Sequence, residues 1–241
     1  PRQILLPVLV VVAPLHEETQ LAPKYIRAGE CAVAAVQEGA DLRDGLRPAC
    51  AQRNQWRARN GHLEERRDVV SARLSAQTLD RLPADVRRPQ YDLSRVHPGI
   101  LHFGPGAFHR VHQAWYADRL LHTDRRWGIT GVSLHSAGVR DALAPQDGLY
   151  SLSVQDEVPE VEIVGSIREV LVASENPAAV IERFADPRLH VVTLTVTEKG
   201  YCLAADGSLD ATHQDVQRDL SQPGSPASVL GYLVAGLRRR R

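Results

Sequence analysis

The residues best suited to chemistry form one short run, residues 104–110, which begins with Gly104 and Gly106 and has His109 where a third glycine would stand. Glycine lets a backbone approach a ligand closely, and free N–H groups at the start of a helix attract negative charge. A strand-like stretch, residues 100–103, precedes the glycines, and apolar residues at helical spacing follow them. This order is typical of the site that receives a dinucleotide pyrophosphate. A bare Gly-x-Gly is also an ordinary tight turn, so the pattern alone leaves both interpretations open.

The side chains beside the glycines suggest different chemistries. Arg110 could bind a phosphate through its planar guanidinium group, or it could be an ordinary solvated helix residue. His109 and His112 are three residues apart and could share a helix face, but no third ligand follows at a suitable spacing. We therefore predict no metal site. Phe108 is expected to pack in the core behind the turn.

Strands and helices alternate along the part of the chain that must position this run. We predict strands at residues 100–103, 127–134, 149–154, 161–164, 167–172 and 190–197. Helices are predicted after the glycines, at residues 176–186 and at residues 225–237, with short helical segments at 75–82 and 139–143. Asn176 followed by Pro177 is a typical helix start, because the asparagine side chain can accept from a free N–H. The alternation predicts an open, mostly parallel α/β sheet with helices on both faces.

The composition excludes several classes of protein. With 29 basic and 29 acidic residues among 241, the formal net charge is zero, so the whole chain offers no electrostatic reason to bind nucleic acid or a membrane surface. The cysteines are far apart and form no Cys-x-x-Cys pair, which argues against a structural zinc site and a disulfide scaffold; they are Cys31, Cys50 and Cys202. We expect a cytoplasmic protein with no nucleic-acid or membrane partner.

The beginning of the chain differs from the rest in its pattern of apolar and charged residues. Residues 5–15 are apolar but too short to cross a bilayer, so they are either a buried strand or a segment with no stable partner. Residues 41–69 mix many arginines with acids and contain few apolar residues, which predicts a solvated helix or a disordered connector rather than a nucleic-acid arm. We therefore divide the chain into an unassigned, partly disordered segment, residues 1–70, and a domain, residues 74–241.

A longer string around the glycines, GILHFGPGAFHRVHQAWYADRL, resembles the opening of the polyol-specific long-chain dehydrogenases, the mannitol dehydrogenase family. The fingerprint of that family is a Gly-x-Gly-x-Phe-His-Arg turn followed by His-Gln. In this sequence the positions are held by Gly104, Gly106, Phe108, His109, Arg110, His112 and Gln113. The resemblance continues through RRWGITGVSL, VRDALAPQDGLYSL and VTLTVTEKGYC, the last of which is similar to the fructuronate reductase (mannonate oxidoreductase) branch. It covers residues 74–241.

The resemblance implies a Rossmann-like domain of an NAD(P)-dependent oxidoreductase that acts on the CH–OH group of a sugar acid or polyol. It favours D-mannonate and D-fructuronate as the substrate pair, then mannitol and fructose. The cofactor-binding residues that it implies are Gly104, Gly106, Phe108, His109, Arg110 and Thr197. Glu198 and Lys199 follow a predicted strand end, where ligands bind in such sheets, so they are auxiliary candidates or else an ordinary charged turn before Gly200.

The choice between NAD and NADP depends on the end of the second predicted strand. An acidic residue there would bind the ribose 2′-hydroxyl group and exclude a 2′-phosphate, but the sequence has Leu134, His135 and Ser136. The nearest acid is Asp141, and His135 with Arg140 could accommodate a phosphate. The resemblance favours NAD, and NADP is not excluded.

Two further motifs of the family do not occur in these 241 residues. The first is Lys-x4-Asn-x2-His, whose lysine serves as general acid/base in the family, and the second is a Cys-Asp-Asn segment on a later strand. The only lysines are Lys24 and Lys199, and neither lies in such a motif. We therefore expect a truncated cofactor-binding part, with a sheet incomplete at the C-terminus and no activity on its own. The alternative is a non-catalytic remnant that at most binds dinucleotide.

Overall fold

A computed structural model of the chain describes residues 9–12, 35–37, 73–154 and 160–240. Its larger sheet contains five strands, which are β1 (Leu9–Val12), β3 (Pro98–Phe103), β4 (Gly128–Ser133), β7 (Ile167–Val172) and β8 (Val191–Leu194). Their order across the sheet is β1-β8-β3-β4-β7, and each of these neighbouring pairs is parallel. The predicted open parallel sheet is thus confirmed.

A smaller antiparallel sheet takes two of its three strands from the segment between β4 and β7. It contains β5 (Tyr150–Val154) and β6 (Glu160–Val164), joined by β2 (Ala35–Gln37) in the order β2-β5-β6. The strands predicted at residues 149–154 and 161–164 are confirmed. Their antiparallel pairing was not part of the prediction, because a strand pattern does not reveal its partner.

The helices are α1 (Ala107–Val111), α2 (Gln113–Leu121), α3 (Gly138–Leu143), α4 (Pro177–Phe184), α5 (Gln214–Ser221) and α6 (Val229–Arg240). The single helix predicted after the glycines is divided at His112, whose φ of −123° and ψ of −84° lie outside the helical region. Helical spacing continues on both sides of His112, so periodicity could not reveal the break. α5 was not predicted, because its apolar residues are only Val216, which is buried, and Leu220, which is exposed.

Apolar side chains form a core on each face of the larger sheet. On one face, Phe103 packs with Phe184 from α4 and Tyr232 from α6. On the other face, Ala117 from α2 packs with Ile129 in β4 and with residues of the smaller sheet. Burial of each large side chain contributes about 1.5–3 kcal/mol, so the helices are held on both faces by apolar contact, as predicted.

The predicted start of α4 is confirmed, because Asn176 Oδ1 accepts from the N–H of Ala179 at 3.0 Å and Pro177 is the first helical residue. The last helix starts later than predicted and continues beyond residue 237. Its last two arginines contact α4: Arg239 pairs with Glu182, and Arg240 Nη1 donates to the carbonyl of Phe184 at 2.7 Å. These contacts tie the end of α6 to α4.

Two predictions concern strand ends. The strand predicted at residues 190–197 ends at Leu194, because the chain turns after Thr195 into a short 3-10 helix, Glu198–Tyr201. The apolar residues 5–15 contain β1, which pairs with β8, so the strand interpretation is the one observed.

The predicted connector at residues 41–69 lies outside the described residues, and the domain boundary at residue 70 stays a prediction. Among the described residues, no helix is long and apolar enough to cross a membrane.

Candidate functional site

The glycine turn, residues 104–106, leaves the carboxyl end of β3 and leads directly into α1. Gly104 has a φ of +88°, a conformation that side-chain-bearing residues rarely adopt. A Cβ at this position would also lie 2.5 Å from the carbonyl oxygen of Thr195, which follows β8. Both the backbone angle and the close approach of the neighbouring strand therefore require glycine at residue 104.

The second glycine of the turn has a different role. Gly106 has an ordinary φ of −70°, and a Cβ there would have Gly104 O, at 3.9 Å, as its nearest neighbour. The missing side chain thus leaves open space in front of the turn. A pyrophosphate needs this kind of space to approach the backbone.

Between the two glycines, Pro105 packs against the strand on the other side. A Cβ at Gly131 in β4 would lie 3.1 Å from the proline ring, so Gly131 makes room for the turn. Arg110 is buried, and its Nη1 donates to the Pro105 carbonyl at 2.6 Å. Its guanidinium group therefore supports the turn from behind, and phosphate binding by Arg110 stays a prediction.

A histidine inside β3 links the turn to β8. His102 is fully buried, and its Nδ1 lies 2.7 Å from the Thr193 hydroxyl. Its Nε2 lies 2.9 Å from Thr195 Oγ1 and 3.2 Å from the Gly104 carbonyl oxygen. The Thr195 hydroxyl in turn donates to Gly104 O at 2.8 Å. We call these four residues the His102 network.

The His102 network was not predicted, although the sequence contains two signals of it. His102 is the polar residue of an otherwise apolar strand. Thr193 and Thr195 are two residues apart, and a spacing of two places side chains on the same side of a strand. The register could not be read from the sequence; in the structure His102 lies directly opposite Thr193.

His109 stacks on His102 with ring centroids 3.4 Å apart and an interplanar angle of 10°. Burial lowers the pKa of His102 well below its usual range, and it lowers the pKa of His109 to about 4. Both rings are therefore uncharged at neutral pH. His109 Nδ1 contacts Gln113 Oε1 at 3.0 Å, while its Nε2 is buried with no hydrogen-bond partner among the described residues.

The next side chains on α1 and α2 are more exposed. The prediction that Phe108 packs in the core is wrong, because the side chain is 48% exposed and contacts the ring of His112. An exposed aromatic ring at the mouth of the turn is available to a ligand, which an internal one would not be. Its predicted role in cofactor binding stays untested.

α2 is tied to the smaller sheet by a buried carboxyl group. Asp118 Oδ1 accepts from the Tyr91 hydroxyl at 2.5 Å and from the N–H of Gly165 at 2.7 Å. Burial raises the pKa of Asp118. These bonds hold the helix that continues from the turn in a single position.

The remaining predicted residues follow the carboxyl end of β8, the strand next to β3. Thr197 is exposed, and its carbonyl accepts from the N–H of Gly200 at 2.8 Å at the start of the 3-10 helix. Lys199 is exposed on the same helix, and Glu198 is its first residue. The adjacent parallel strands therefore bring the Thr197 segment and the glycine turn to the same edge of the sheet.

A second turn, residues 134–137, leaves the carboxyl end of β4. His135 is exposed on it, and the nearby Arg140 in α3 pairs with Asp141 at 2.9 Å and with Glu175. The guanidinium group that could accommodate a 2′-phosphate is thus engaged by two carboxylates. No group of three or more histidine, cysteine or acidic side chains that could hold a metal ion occurs within the described ranges.

The known proteins to which this chain is similar include oxidoreductases named for polyols or sugar acids. Polyol:NADP oxidoreductase of Gluconobacter oxydans is 38% identical over 177 residues, which are 70% of this chain and 36% of that protein. D-mannonate oxidoreductase of Escherichia coli is 42% identical over 163 residues, 65% of this chain and 34% of that protein. A solved structure, Pseudomonas fluorescens mannitol 2-dehydrogenase in a ternary complex with NAD and D-mannitol, matches with a TM-score of 0.67 and 40% identity.

That structural match covers 70% of this chain and 36% of the other, so the chain spans about a third of the length of these relatives. The family model described as the mannitol dehydrogenase Rossmann domain matches residues 98–241. This range begins with β3 and contains the glycine turn, both faces of the core and α6. The resemblance seen in the sequence is confirmed: the chain belongs to the mannitol dehydrogenase family and carries its Rossmann domain.

Proposed function

We propose that the chain binds NAD at the glycine turn and supplies the dinucleotide-binding part of an oxidoreductase acting on the CH–OH group of a sugar acid or polyol. The observation that carries the proposal is the glycine turn itself. It is open at Gly106, tightly packed at Gly104, and lies at the carboxyl ends of two adjacent parallel strands. Ligands of open α/β sheets bind at that edge.

The residues at the turn fit a dinucleotide. Gly106 leaves the space that a pyrophosphate would fill, and the buried Nε2 of His109, without a partner among the described residues, is a polar atom beside it. The residues that would hold the cofactor are Gly104, Gly106, Phe108, His109, Arg110 and Thr197. When bound, a nicotinamide cofactor supplies hydride transfer. The chain would supply the position of the cofactor and a tightly packed support behind it.

The proposed substrate pair is D-mannonate and D-fructuronate, followed by mannitol and fructose. Support comes from the segment that contains Thr197, which resembles the mannonate oxidoreductase branch, and from the E. coli D-mannonate oxidoreductase among the relatives. NAD is proposed ahead of NADP because Arg140 is held by Asp141 and Glu175. NADP is kept as an alternative, since one relative is named for it.

Proton transfer requires a general base, and the chain has few candidates for it. An alcohol that loses hydride must also lose its hydroxyl proton to a base, and such a base accounts for about 10²- to 10⁴-fold in rate. Lys24 and Lys199 are the only lysines in the sequence, and Lys199 is exposed. We therefore propose that the chain by itself binds dinucleotide without turning over a polyol or sugar acid.

The binding proposal is tested by titrating the full chain with NADH and following its fluorescence. Gly106→Val should abolish binding while the protein stays folded, because valine can adopt this φ but its side chain fills the space in front of the turn. Gly224→Val is the matched control, since no atom lies within 4 Å of a Cβ there. Equal affinity of the two folded variants would remove the turn from the site.

The proposal that the chain alone does not turn over a substrate is tested with mannonate and mannitol at saturating NAD. We expect no NADH formation that scales with the concentration of the purified chain. Reproducible turnover would overturn this expectation, and loss of that turnover in Lys199→Gln would then make Lys199 the acid/base group. Mannonate added to the binding titration should leave the NADH affinity unchanged if the chain lacks a substrate pocket.

A further inference from the structure

His102 is placed where an apolar residue would be expected. It lies within β3, at the centre of the larger sheet, and none of its surface is exposed. A buried polar side chain is costly unless its hydrogen bonds are made. In this structure both ring nitrogens have partners, and those partners lead to the glycine turn.

Each hydrogen bond of the His102 network has an assigned donor, and the donors point from Thr193 through His102 and Thr195 toward the Gly104 carbonyl. The Gly104 carbonyl can only accept, so Nε2 of His102 carries the ring proton and Nδ1 accepts from the Thr193 hydroxyl. Thr195 Oγ1 accepts from Nε2 and donates to Gly104 O. The neutral ring with its proton on Nε2 therefore satisfies each of these groups.

The network ends on the carbonyl that sets the path of the turn. Gly104 O accepts from Thr195 Oγ1 at 2.8 Å and from the N–H of Gly106 at 2.7 Å, with His102 Nε2 at 3.2 Å. With three donors around it, the peptide between Gly104 and Pro105 has one orientation available. The stacked ring of His109 covers His102 and prevents it from turning away.

We propose that His102 and Thr195 are positioning residues for the dinucleotide: they hold the Gly104 carbonyl toward β8, so that the open side of the turn at Gly106 faces the pyrophosphate. This inference rests on the proposed function. Neither side chain is assigned a contact with the cofactor. Each acts through the backbone of the turn, whose shape in the bound state is thus present before the ligand arrives.

A matched pair of substitutions on the same strand tests the proposal. Thr195→Val removes the hydroxyl that reaches Gly104 O, whereas Thr193→Val removes a hydroxyl on the far side of the ring. We expect Thr195→Val to raise the Kd for NADH about tenfold, and Thr193→Val to change it by no more than about threefold. Equal effects, or no effect of Thr195→Val in folded protein, would overturn the proposal.

Hydrogen exchange of the cofactor-free chain gives a second readout. The backbone of residues 104–111 should exchange faster in Thr195→Val than in Thr193→Val, while exchange in α4 should be the same in both. If the unaltered chain bound no NADH, the proposed function would fail, and this comparison would still decide whether the network positions the turn. Indistinguishable exchange would overturn the inference.

Two replacements of His102 separate the two sides of its ring. Glutamine can place an amide donor near the position of Nε2, whereas asparagine reaches only as far as Nδ1. His102→Gln should therefore keep NADH affinity within about threefold of the unaltered chain, and His102→Asn should lower it about tenfold or more. A role in core packing alone would give the two variants similar affinities and similar exchange.

Discussion

The turn after β3 and the turn after β4 end at the same edge of the sheet but are built in opposite ways. The glycine turn is held by buried contacts: Gly104 packs on the carbonyl of Thr195, and Pro105 packs on Gly131. The buried guanidinium group of Arg110 also donates to the Pro105 carbonyl. On the second turn, residues 134–137, the side chains of His135 and Ser136 are exposed.

Around the second turn the contacts are between charged groups near solvent. Arg140 pairs with Asp141 and Glu175, whose side chains are exposed. Exposed ion pairs can exchange partners at little cost, whereas a packed backbone cannot change its shape without losing several contacts. If the proposed function is correct, we expect the first turn to determine whether a dinucleotide binds and the second to determine which one.

The largest difference in stability between variants of the two turns is expected for a substitution at Gly104. Gly104→Val should lower the free energy of unfolding by at least about 4 kcal/mol, because a β-branched residue is forced to a positive φ and against Thr195 O. Gly138→Val, which follows the second turn, should have little effect, since its Cβ would meet Ser136 Oγ at an ordinary 3.4 Å. Urea denaturation of both variants measures this, and similar losses would show that the turns are equally constrained.

The neutral histidines behind the glycine turn predict a dependence of stability on pH. Unfolded histidine takes up a proton near its ordinary pKa of 6.5, whereas His109 in the fold resists protonation until about pH 4. The unfolded chain therefore binds more protons in this window, so stability falls as the pH is lowered from about 6.5 toward 4. His109 accounts for about 3 kcal/mol of that loss.

Replacement of His109 tests the assignment. The pH dependence measured by urea denaturation should be shallower for His109→Gln than for the unaltered chain. His135→Gln, on the second turn, is the matched control for a histidine without buried contacts. If both variants kept the full dependence, the sensitivity to pH would lie elsewhere in the chain.

A smaller effect is expected on the choice of cofactor. Asp141→Asn together with Glu175→Gln should free Arg140 to meet a 2′-phosphate, which improves NADPH affinity relative to NADH about fivefold. Fluorescence titrations with both cofactors provide the ratio. An unchanged ratio of NADPH to NADH affinity would mean that the second turn does not contact the ribose. The second turn would then have no role in the choice of cofactor.

The smallest effect should come from Arg140→Gln. Since its ion pairs lie near solvent, the substitution should leave the urea midpoint nearly unchanged. Glu169, which pairs with Arg183 beside the sheet, is less exposed than the two carboxylates that pair with Arg140, so Glu169→Gln gives a useful comparison. A larger loss for Arg140→Gln than for Glu169→Gln would show that the second turn is more firmly held than the structure indicates.

The sequence by itself determined the alternation of elements, the start of α4 at Asn176 and the position of the glycine turn. These features depend on local rules: spacing of apolar residues, a side-chain cap and the need for a backbone without a Cβ. The family resemblance also came from contiguous residues, so it was available without a fold. The cofactor-binding roles of all six residues remain predictions: Gly104, Gly106, Phe108, His109, Arg110 and Thr197.

Only the tertiary structure decided which residues support that turn. His102, Thr195 and Gly131 are separated by up to 93 residues along the chain, and strand order and register bring them together. The break at His112 and the exposure of Phe108 were likewise hidden, because helical spacing does not say where a helix bends or which side the sheet covers. Contacts of this kind depend on pairing between distant strands, and a one-residue change in register would reverse which side chains face each other.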